Sequence, residues 1–222
     1  MKNDLFSIGP FTVHGYGLMI AIGVLSAYYM VEYRAKKKQM DWEKVFPLTV
    51  WSVLGGFLGS KILYLLTRLP DILANPALLG SSIKDGFVVY GGIIGGILTA
   101  WIYCKCTKWN FWKIFDIAMP AVAMAQGFGR IGCLLAGCCY GIELDPANPI
   151  GIVFHNSAYA PNDVALLPTQ IISSVLDFAN CFVLLALSKK LKTDGQVASC
   201  YLIFYSIGRF VIEFFRGDII RG

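Results

Sequence analysis

The sequence predicts an all-α fold, a polytopic membrane bundle of about six transmembrane helices. Hydrophobic residues make up 56% of the 222 residues and charged residues only 15%, whereas soluble domains carry roughly 25% charged residues. Apolar runs of the length that a bilayer requires, roughly 20 residues of helix, recur along the chain. Basic residues cluster in alternate connections between these runs, which is the arrangement expected of a multi-pass protein.

Six apolar runs define the expected helices. They lie at residues 13–33, 46–66, 87–104, 115–135, 168–187 and 199–215. The first run exceeds the roughly 7–15 residues of a signal-peptide core and no small-residue cleavage site follows it, so we expect a retained helix. No Ser/Pro-rich linker or internal repeat separates the runs. We therefore expect residues 1–222 to form a single integral membrane domain.

The positions of the cations predict how the chain crosses the membrane. Basic clusters follow the first, third and fifth helices: Arg34, Lys36, Lys37, Lys38 and Lys44, then Lys105, Lys108 and Lys113, then Lys189, Lys190 and Lys192. The segment 141–167 contains no Lys or Arg. By the positive-inside rule the basic connections are cytoplasmic, so the amino terminus and 141–167 face outward. The net charge of +5 thus orients the chain, and we expect no nucleic-acid partner.

Charged side chains inside the predicted helices are functional candidates, because each costs about 2.5–3.5 kcal/mol on membrane-insertion scales. They are Lys61, Asp116, Arg130, Asp177, Arg209 and Glu213. We expect Lys61 and Asp116 to snorkel or pair near helix ends. Arg209 and Glu213 are four residues apart, which suits an intrahelical ion pair. Asp177 suits either a structural pair or a functional role.

Arg130 stands in the glycine-rich stretch G-F-G-R-I-G-C-L-L-A-G-C-C-Y-G at 127–141. Such glycine density permits close backbone approach or a break in the helix, and irregular backbone at membrane depth is tolerated only inside protein or beside a wet cavity. We expect a glycine-broken helix in which the guanidinium grips a phosphate bidentately. The alternative is a helix-packing motif with Glu213 or Asp177 as the counter-ion.

Two other glycine-rich stretches carry polar side chains at predicted outer helix ends. V-H-G-Y-G-L-M holds His14 and Tyr16, and V-V-Y-G-G-I-I-G-G holds Tyr90. Each tyrosine alone suits an interfacial aromatic belt, and the spaced glycines at 91–96 suit close helix packing. Because the first, third and fourth helices all bring such residues toward the outer half of the membrane, we expect a lipid-accessible pocket there.

Five segments are weak signals alone but specific in this order. They are F-T-V-H-G-Y-G-L-M-I-A-I-G at 11–23, F-V-V-Y-G-G-I-I-G-G at 87–96, G-R-I-G-x-x-x-x-G-x-x-Y-G at 129–141, L-P-T-Q at 167–170 and Y-x-x-x-Y-x-x-x-R-F-x-x-E-F-F-R at 201–216. With them the chain resembles the prolipoprotein diacylglyceryl transferase family along nearly its whole length. Members usually continue into one more membrane helix, so the resemblance implies seven helices where this sequence accommodates six.

The resemblance implies a reaction at the outer face of a bacterial cytoplasmic membrane. The diacylglyceryl group of phosphatidylglycerol is transferred to the thiol of the lipobox cysteine in a prolipoprotein signal peptide, and glycerol phosphate is released. The expected partners are therefore phosphatidylglycerol, that signal peptide and membrane lipid, with no cofactor. The resemblance implies catalytic roles for Tyr16, Tyr90, Arg130 and Arg209. We also expect substrate binding by His14, Gly141 and Glu213, together with the two arginines.

The chain departs from the family pattern at several of these positions. Tyr90 stands where many members have His, and tyrosine is a poor base with an ordinary pKa of about 10. Either Tyr90 relays a proton within a network, or the histidine of other members is not a simple base; His14 is a candidate substitute. In the signature, Cys133, Ala136 and Cys138 replace Asn, Asn and Glu, and Cys139 follows.

The three signature cysteines leave three interpretations open. Buried cysteines often serve as small apolar packing residues. A thiol-dependent role, such as redox control or covalent lipid capture, is the second. Metal binding is the third, but C-x4-C-C is not a common zinc spacing and no His lies nearby in sequence, so we expect no metal. Seven cysteines, mostly within apolar runs, do not indicate a disulfide scaffold.

Two functions compete with the transferase implied by the resemblance. One is a related phospholipid-dependent transferase with a small thiol as its acceptor. The other is a membrane protein that binds lipid without turnover. Retention of Arg130 and Arg209 favours a bound phosphate in all three cases.

Overall fold

The structure is a computed structural model that describes residues 4–8, 11–75, 80 and 86–217. Its helices are α1 (Gly15–Lys37), α2 (Val45–Thr67), α3 (Leu69–Ala74), α4 (Val89–Thr107), α5 (Phe111–Ala136), α6 (Thr169–Leu187) and α7 (Gln196–Glu213), with a 3₁₀ turn at Trp42–Lys44. Two hairpins complete the described part: β1 (Asp4–Ile8) with β2 (Phe11–His14), and β3 (Ile152–Val153) with β4 (Ala165–Leu166).

The prediction of an all-α membrane protein is confirmed. All six predicted helices are present within the described residues, and their ends lie within four residues of the predicted positions. Five of them, α1, α2 with its preceding turn, α4, α5 and α6, are long and apolar enough to cross a membrane. The sixth, α7, forms as predicted but is not among these spans; it contains Gln196, Arg209 and Glu213.

Local hydrogen bonding and charge explain where the predicted ends were wrong. The first helix starts at Gly15 because residues 13–14 pair in the β1–β2 hairpin. It ends four residues later than predicted, in a last turn with three cations, which the helix dipole favours. The fourth predicted helix starts earlier because Asn110 Oδ1 accepts a hydrogen bond from the Trp112 backbone N–H at 3.0 Å, which caps its first turn.

Asp116 caps the start of another helix from inside the protein. Its carboxylate accepts hydrogen bonds from the backbone N–H groups of Gly195 and Ala198, both at 2.8 Å. This places an anion at the positive end of α7 and satisfies two donors that the helix itself cannot. Asp116 is therefore a structural residue, in agreement with the expected pairing near a helix end.

We expect Asp116→Ala to lower the free energy of unfolding by about 1–3 kcal/mol, because it leaves the buried N–H of Ala198 and the partly buried N–H of Gly195 without an acceptor. Asp116→Asn should cost less, since its amide oxygen still accepts one of the two bonds. Thermal unfolding of the purified protein in detergent measures both effects. Asp71→Ala is the matched control because it removes an exposed carboxylate; equal shifts for Asp71 and Asp116 would contradict the capping role.

The described residues form two compact units: those that lie within 1–31 and 115–217, and those that lie within 32–114. The single domain expected from the sequence stays a prediction. In the first unit, α5, α6 and α7 share a buried core that includes Met119, Cys181, Leu184 and Tyr201. A smaller core around Phe154 and Leu166 lies in the connection between α5 and α6.

In the second unit, α2 and α4 pack through glycines, as the spaced glycines predicted. A Cβ added at Gly91 would collide with the backbone oxygen of Gly59, and one added at Gly59 would collide with that of Gly91. Small residues of this kind let two membrane helices approach closely. Lys61 lies in the same unit, where its ammonium donates to the Gly86 carbonyl at 3.1 Å and lies 4.6 Å from the Phe87 ring centroid. These contacts agree with the structural role expected for Lys61.

Gly91→Ala should lower the free energy of unfolding by about 1–3 kcal/mol, because a backbone oxygen cannot move aside as a side chain can. Gly92→Ala is the matched control: its added Cβ would lie 3.4 Å from the nearest atom, the Gly56 oxygen. Both variants gain the same helix propensity, so thermal unfolding isolates the steric effect. Equal stability of the two variants would show that α2 and α4 do not depend on this contact.

Candidate active site

The signature segment begins inside α5 and does not interrupt it. We expected a glycine-broken helix at residues 127–141, and that expectation is wrong, because α5 continues unbroken past Arg130 to Ala136. Helical hydrogen bonds satisfy the backbone there, so no cavity is needed to tolerate an irregular main chain. The glycines must have another use.

That use is close packing. An added Cβ at Gly127 would lie 2.9 Å from the Phe178 ring of α6, and one at Gly132 would lie 3.1 Å from the Tyr16 ring of α1. Ser174 also donates a hydrogen bond of 2.9 Å to the Gly127 carbonyl. The missing side chains therefore let α1 and α6 approach the helix that carries Arg130, as one of the sequence interpretations held.

The end of α5 folds the chain back on itself. Gly137 has a φ of +76°, and its backbone N–H donates to Leu134 O at 3.2 Å while that of Cys138 donates to Cys133 O at 3.1 Å. These two bonds, with a left-handed residue after the helix, form a Schellman motif. The turn therefore places Cys138 beside Cys133, which lies in the last turn of α5.

The turn gathers the three signature cysteines. Their sulphur atoms, in Cys133, Cys138 and Cys139, all lie within 4.8 Å of one another. The start of α6 holds the main chain of this turn: Thr169 Oγ1 donates to Cys139 O at 2.8 Å, and Gln170 Nε2 donates to Cys138 O at 2.9 Å. The L-P-T-Q segment therefore positions the signature.

Charge around the cluster favours an anion. Hydrogen bonds with the Cys133 and Cys138 thiols lower the pKa of the Cys139 thiol below its ordinary value, and the positive charges of Arg130 and Arg216 lower it further. Cys139 lies after the end of α5, outside the predicted membrane span. The cluster and the two guanidiniums thus form one electrostatic unit.

The two arginines singled out in the sequence line one small cleft. Arg130 comes from α5 and Arg209 from α7, and α6 supplies Asp177 and Asn180 to the same wall; the cleft has a volume of about 30 Å³. Asp177 and Asn180 are both buried. The cleft therefore combines two guanidiniums with a carboxyl and an amide on otherwise apolar helices.

The two arginines differ in how they are paired. Arg209 Nη2 forms the predicted ion pair with Glu213 Oε2 at 2.5 Å, and Arg216 Nη1 lies 3.6 Å from the same oxygen. Arg130 forms no ion pair with any carboxylate of the described residues. The counter-ion expected under the helix-packing alternative is thus not in contact. Glu213 contacts Arg209 and Arg216, which indicates a positioning role.

Asn180 is the residue that the sequence reasoning missed. Both polar atoms of its side-chain amide are buried and have no hydrogen-bond partner among the described residues. A buried unsatisfied amide costs about 1–3 kcal/mol, so the cleft it lines suits a polar ligand or water. The polar residues of α6 at 170, 174, 177 and 180 recur every three or four positions, and this helical period could have revealed it.

The remaining predicted residues are spread over both units. Tyr16 packs on Gly132 and lies close enough to Arg130 and the three cysteines for their charges to act on its hydroxyl. His14 ends β2 and is exposed, two residues before Tyr16. Tyr90 lies near the start of α4 in the other unit, with an exposed side chain. The pocket expected to join them stays a prediction.

Gly141 closes the signature at a crossing of three chain segments. Its backbone N–H donates to Leu167 O at 3.0 Å, and the next residue, Ile142, donates to Phe215 O at 3.0 Å. Gly141 also pairs with Arg216 in an isolated antiparallel bridge. An added Cβ would lie 2.7 Å from Leu167 O and 2.8 Å from Phe215 O. Glycine therefore keeps the signature, the start of α6 and the end of α7 together.

Comparison with known proteins places these segments in one family. The family described as prolipoprotein diacylglyceryl transferase matches residues 3–222. A phosphatidylglycerol–prolipoprotein diacylglyceryl transferase of Clostridium tetani is 45% identical over 98% of this chain and 86% of its own. A relative in Clostridium perfringens with the same name and the number 2 is 44% identical over 98% and 84%. One in Staphylococcus carnosus is 32% identical over 96% and 78%. The chain therefore belongs to the prolipoprotein diacylglyceryl transferase family.

Proposed function

We propose that the chain transfers the diacylglyceryl group of phosphatidylglycerol to the thiol of the lipobox cysteine in a prolipoprotein signal peptide. Family membership and the names of the relatives support these two substrates. Within the site, the supporting observation is that Arg130 and Arg209, from different helices, line the same cleft. A guanidinium holds a phosphate through two parallel hydrogen bonds. Two of them suit a phospholipid headgroup.

The proposed step breaks one bond and forms another. The acceptor sulphur, as a thiolate, attacks the diacylglyceryl carbon that bears the phosphate ester, so a carbon–sulphur bond forms. The carbon–oxygen bond breaks, and its electron pair leaves with glycerol phosphate. Arg130, which forms no ion pair with a carboxylate in the described residues, neutralises the charge that develops on the departing phosphate. Glu213 orients Arg209 beside it.

The acceptor proton must leave before the attack, since the thiolate is the nucleophile. Tyr16 is the proposed relay, because its ring packs on Gly132, two residues after Arg130, and the charges of Arg130 and the three cysteines act on its hydroxyl. A tyrosine transfers a proton through a network rather than accepting it as a free base, because its phenol stays protonated at neutral pH. We also propose a catalytic role for Tyr90 and a substrate-binding role for His14.

The test is turnover by the intact protein in a lipid environment. Phosphatidylglycerol labelled in its acyl chains and a lipobox peptide should yield labelled peptide, together with one glycerol phosphate for each thioether formed. A peptide with Ser in place of the acceptor Cys is the control and should gain no label. Release of glycerol phosphate without labelled peptide, but with a lipidated small thiol, would instead support the alternative acceptor. Bound phospholipid without either product would support a binding protein.

We infer that the protein lies in the bacterial cytoplasmic membrane with this site toward the outer face. The basic residues that follow the first, third and fifth helices support this orientation. A membrane-impermeant maleimide on intact cells should label Ser157→Cys, in the connection between α5 and α6, above the background of the unsubstituted chain. Lys37→Cys, at the end of α1, should be labelled only after lysis. The reverse pattern would show the opposite orientation.

A further inference from the structure

Three cysteines of this chain are grouped and four are not. The sulphur atoms of Cys133, Cys138 and Cys139 lie within 4.8 Å of one another. The other cysteines, which belong to no such group in the described part of the chain, are Cys104, Cys106, Cys181 and Cys200. All seven are free thiols. Simple packing does not require three thiols to converge, so the group needs its own explanation.

The fold prepares the group in advance. Cys133 lies on the last turn of α5, and the Schellman turn at Gly137 brings Cys138 back beside it, with its sulphur 3.8 Å from Cys133 O. Side-chain hydrogen bonds from Thr169 and Gln170 hold the carbonyls of the two adjacent cysteines. Because the cysteines are already held in place, a ligand that binds them needs to order little additional main chain, and the entropic cost of binding is lower.

We propose that Cys133, Cys138 and Cys139 form a three-thiolate site for a soft divalent cation of the zinc class, with one coordination position left open. Zinc binds thiolate sulphur at about 2.3 Å, and a tetrahedral arrangement then separates the sulphurs by about 3.8 Å. The observed separations of up to 4.8 Å require the sulphurs to close by at most about 1 Å. Thiolates select soft cations of this kind.

Three protein ligands and an open position are the arrangement of zinc sites that bind an exchangeable ligand. All three cysteines are only partly buried, so an outside molecule can reach the metal. A fourth thiolate is a suitable ligand, and a thiol that coordinates the metal loses its proton to solvent. If the proposed transferase function holds, the lipobox thiol is such a ligand, and the metal would supply it as the thiolate that the reaction needs.

The charges of the site suit this complex. Three thiolates and one divalent cation carry a net charge of −1, and a fourth thiolate makes it −2. The two guanidiniums whose charges act on the Cys139 sulphur, those of Arg130 and Arg216, offset that charge. Buried charges are tolerated when they are paired or bound to metals. Arg130 thus offsets the charge of the metal complex and, in the proposed function, also binds the lipid phosphate.

The first experiment measures metal content. The full chain, purified in detergent, reduced and treated with a chelator, is incubated with Zn²⁺, freed of unbound ion and subjected to elemental analysis. We expect one zinc per chain. Cys133→Ser should lose most of it, whereas Cys106→Ser, which changes an exposed cysteine outside the group, should keep it. Zinc content that is equal in both variants, or far below one per chain in the unaltered protein, would overturn the proposal.

The second experiment needs no variant, so misfolding cannot mimic its result. The unaltered protein is alkylated with iodoacetamide, with and without Zn²⁺, and each cysteine is scored by mass spectrometry. Zinc should protect Cys133, Cys138 and Cys139 by at least tenfold and leave the labelling of Cys106 unchanged. Equal protection of Cys106, or labelling of the three at the same rate with and without zinc, would contradict the site.

The third experiment tests the open position and uses no turnover. Co²⁺ replaces zinc as a probe with a visible spectrum that depends on its ligands. A lipobox peptide should change this spectrum, whereas the same peptide with Ser in place of Cys should not. If the protein binds cobalt but its spectrum does not change when the Cys peptide is added, the site has no open coordination position. Absence of lipidated product, with the spectral change intact, would instead contradict the proposed transferase function and leave the metal site standing.

Discussion

Arg130→Ala should reduce the transfer of diacylglyceryl to a lipobox peptide by at least about 10²-fold, because it removes a preorganised donor from the departing phosphate. Arg130 forms no ion pair with a carboxylate within the described residues, so its guanidinium can bind an anionic ligand. The loss should appear mainly in kcat, since charge builds on the leaving group only as the bond breaks. Steady-state kinetics with labelled phosphatidylglycerol measures it.

Two further variants control this result. Arg130→Lys keeps the charge but not the bidentate geometry, so it should fall between the unaltered protein and the alanine variant. Arg68→Ala removes an exposed arginine whose partner is Asp71, at 3.2 Å, and should leave turnover unchanged. An alanine variant that keeps more than a tenth of the activity would exclude Arg130 from the phosphate site.

Gly141→Ala should abolish activity and destabilise the protein, because its methyl group would lie 2.7 Å from Leu167 O and 2.8 Å from Phe215 O. Both neighbours are main-chain atoms at the crossing of the signature, α6 and α7, and overpacking of this kind costs about 1–3 kcal/mol. Movement of the crossing would also displace Arg216, which pairs with Gly141. Thermal unfolding and turnover are measured on the same preparation.

Gly129→Ala is the matched control for this prediction. It changes another glycine of the signature, but an added Cβ there would meet no atom within 4 Å. Its stability should equal or exceed that of the unaltered protein, since alanine favours the helix by about 1 kcal/mol over glycine. Similar losses of stability in the Gly129 and Gly141 variants would show that glycine density, and not this crossing, matters.

The helices were predictable because a membrane span has a simple physical requirement. About 20 apolar residues are needed to cross the bilayer, and the six runs found on that basis all form helices. The errors lie at their ends, where single contacts decide. Asn110 and Asp116 cap helices from positions that a hydropathy pattern does not register, because a cap depends on one side chain and its geometry.

The candidate site was predictable in part. Arg130 and Arg209 stood out as charges inside apolar runs, and they line one cleft. Asn180 was not predicted, because an amide carries no charge and costs less in a membrane helix. A broken helix was expected around Arg130, whereas the glycines there allow neighbouring helices to pack closely. Glycine permits both outcomes, so composition alone could not choose between them.

The sequence by itself determined the class of protein, the approximate places of the six long helices, the family and the two arginines, because each follows from local composition or an ordered set of motifs. Only the tertiary structure determined which residues from distant parts of the chain are in contact. It showed that Thr169 and Gln170 hold the turn after α5, that Asn180 faces the arginine cleft, and that three thiols converge. Contacts between residues far apart in the chain depend on helix packing and turn geometry, which hydropathy and spacing do not encode.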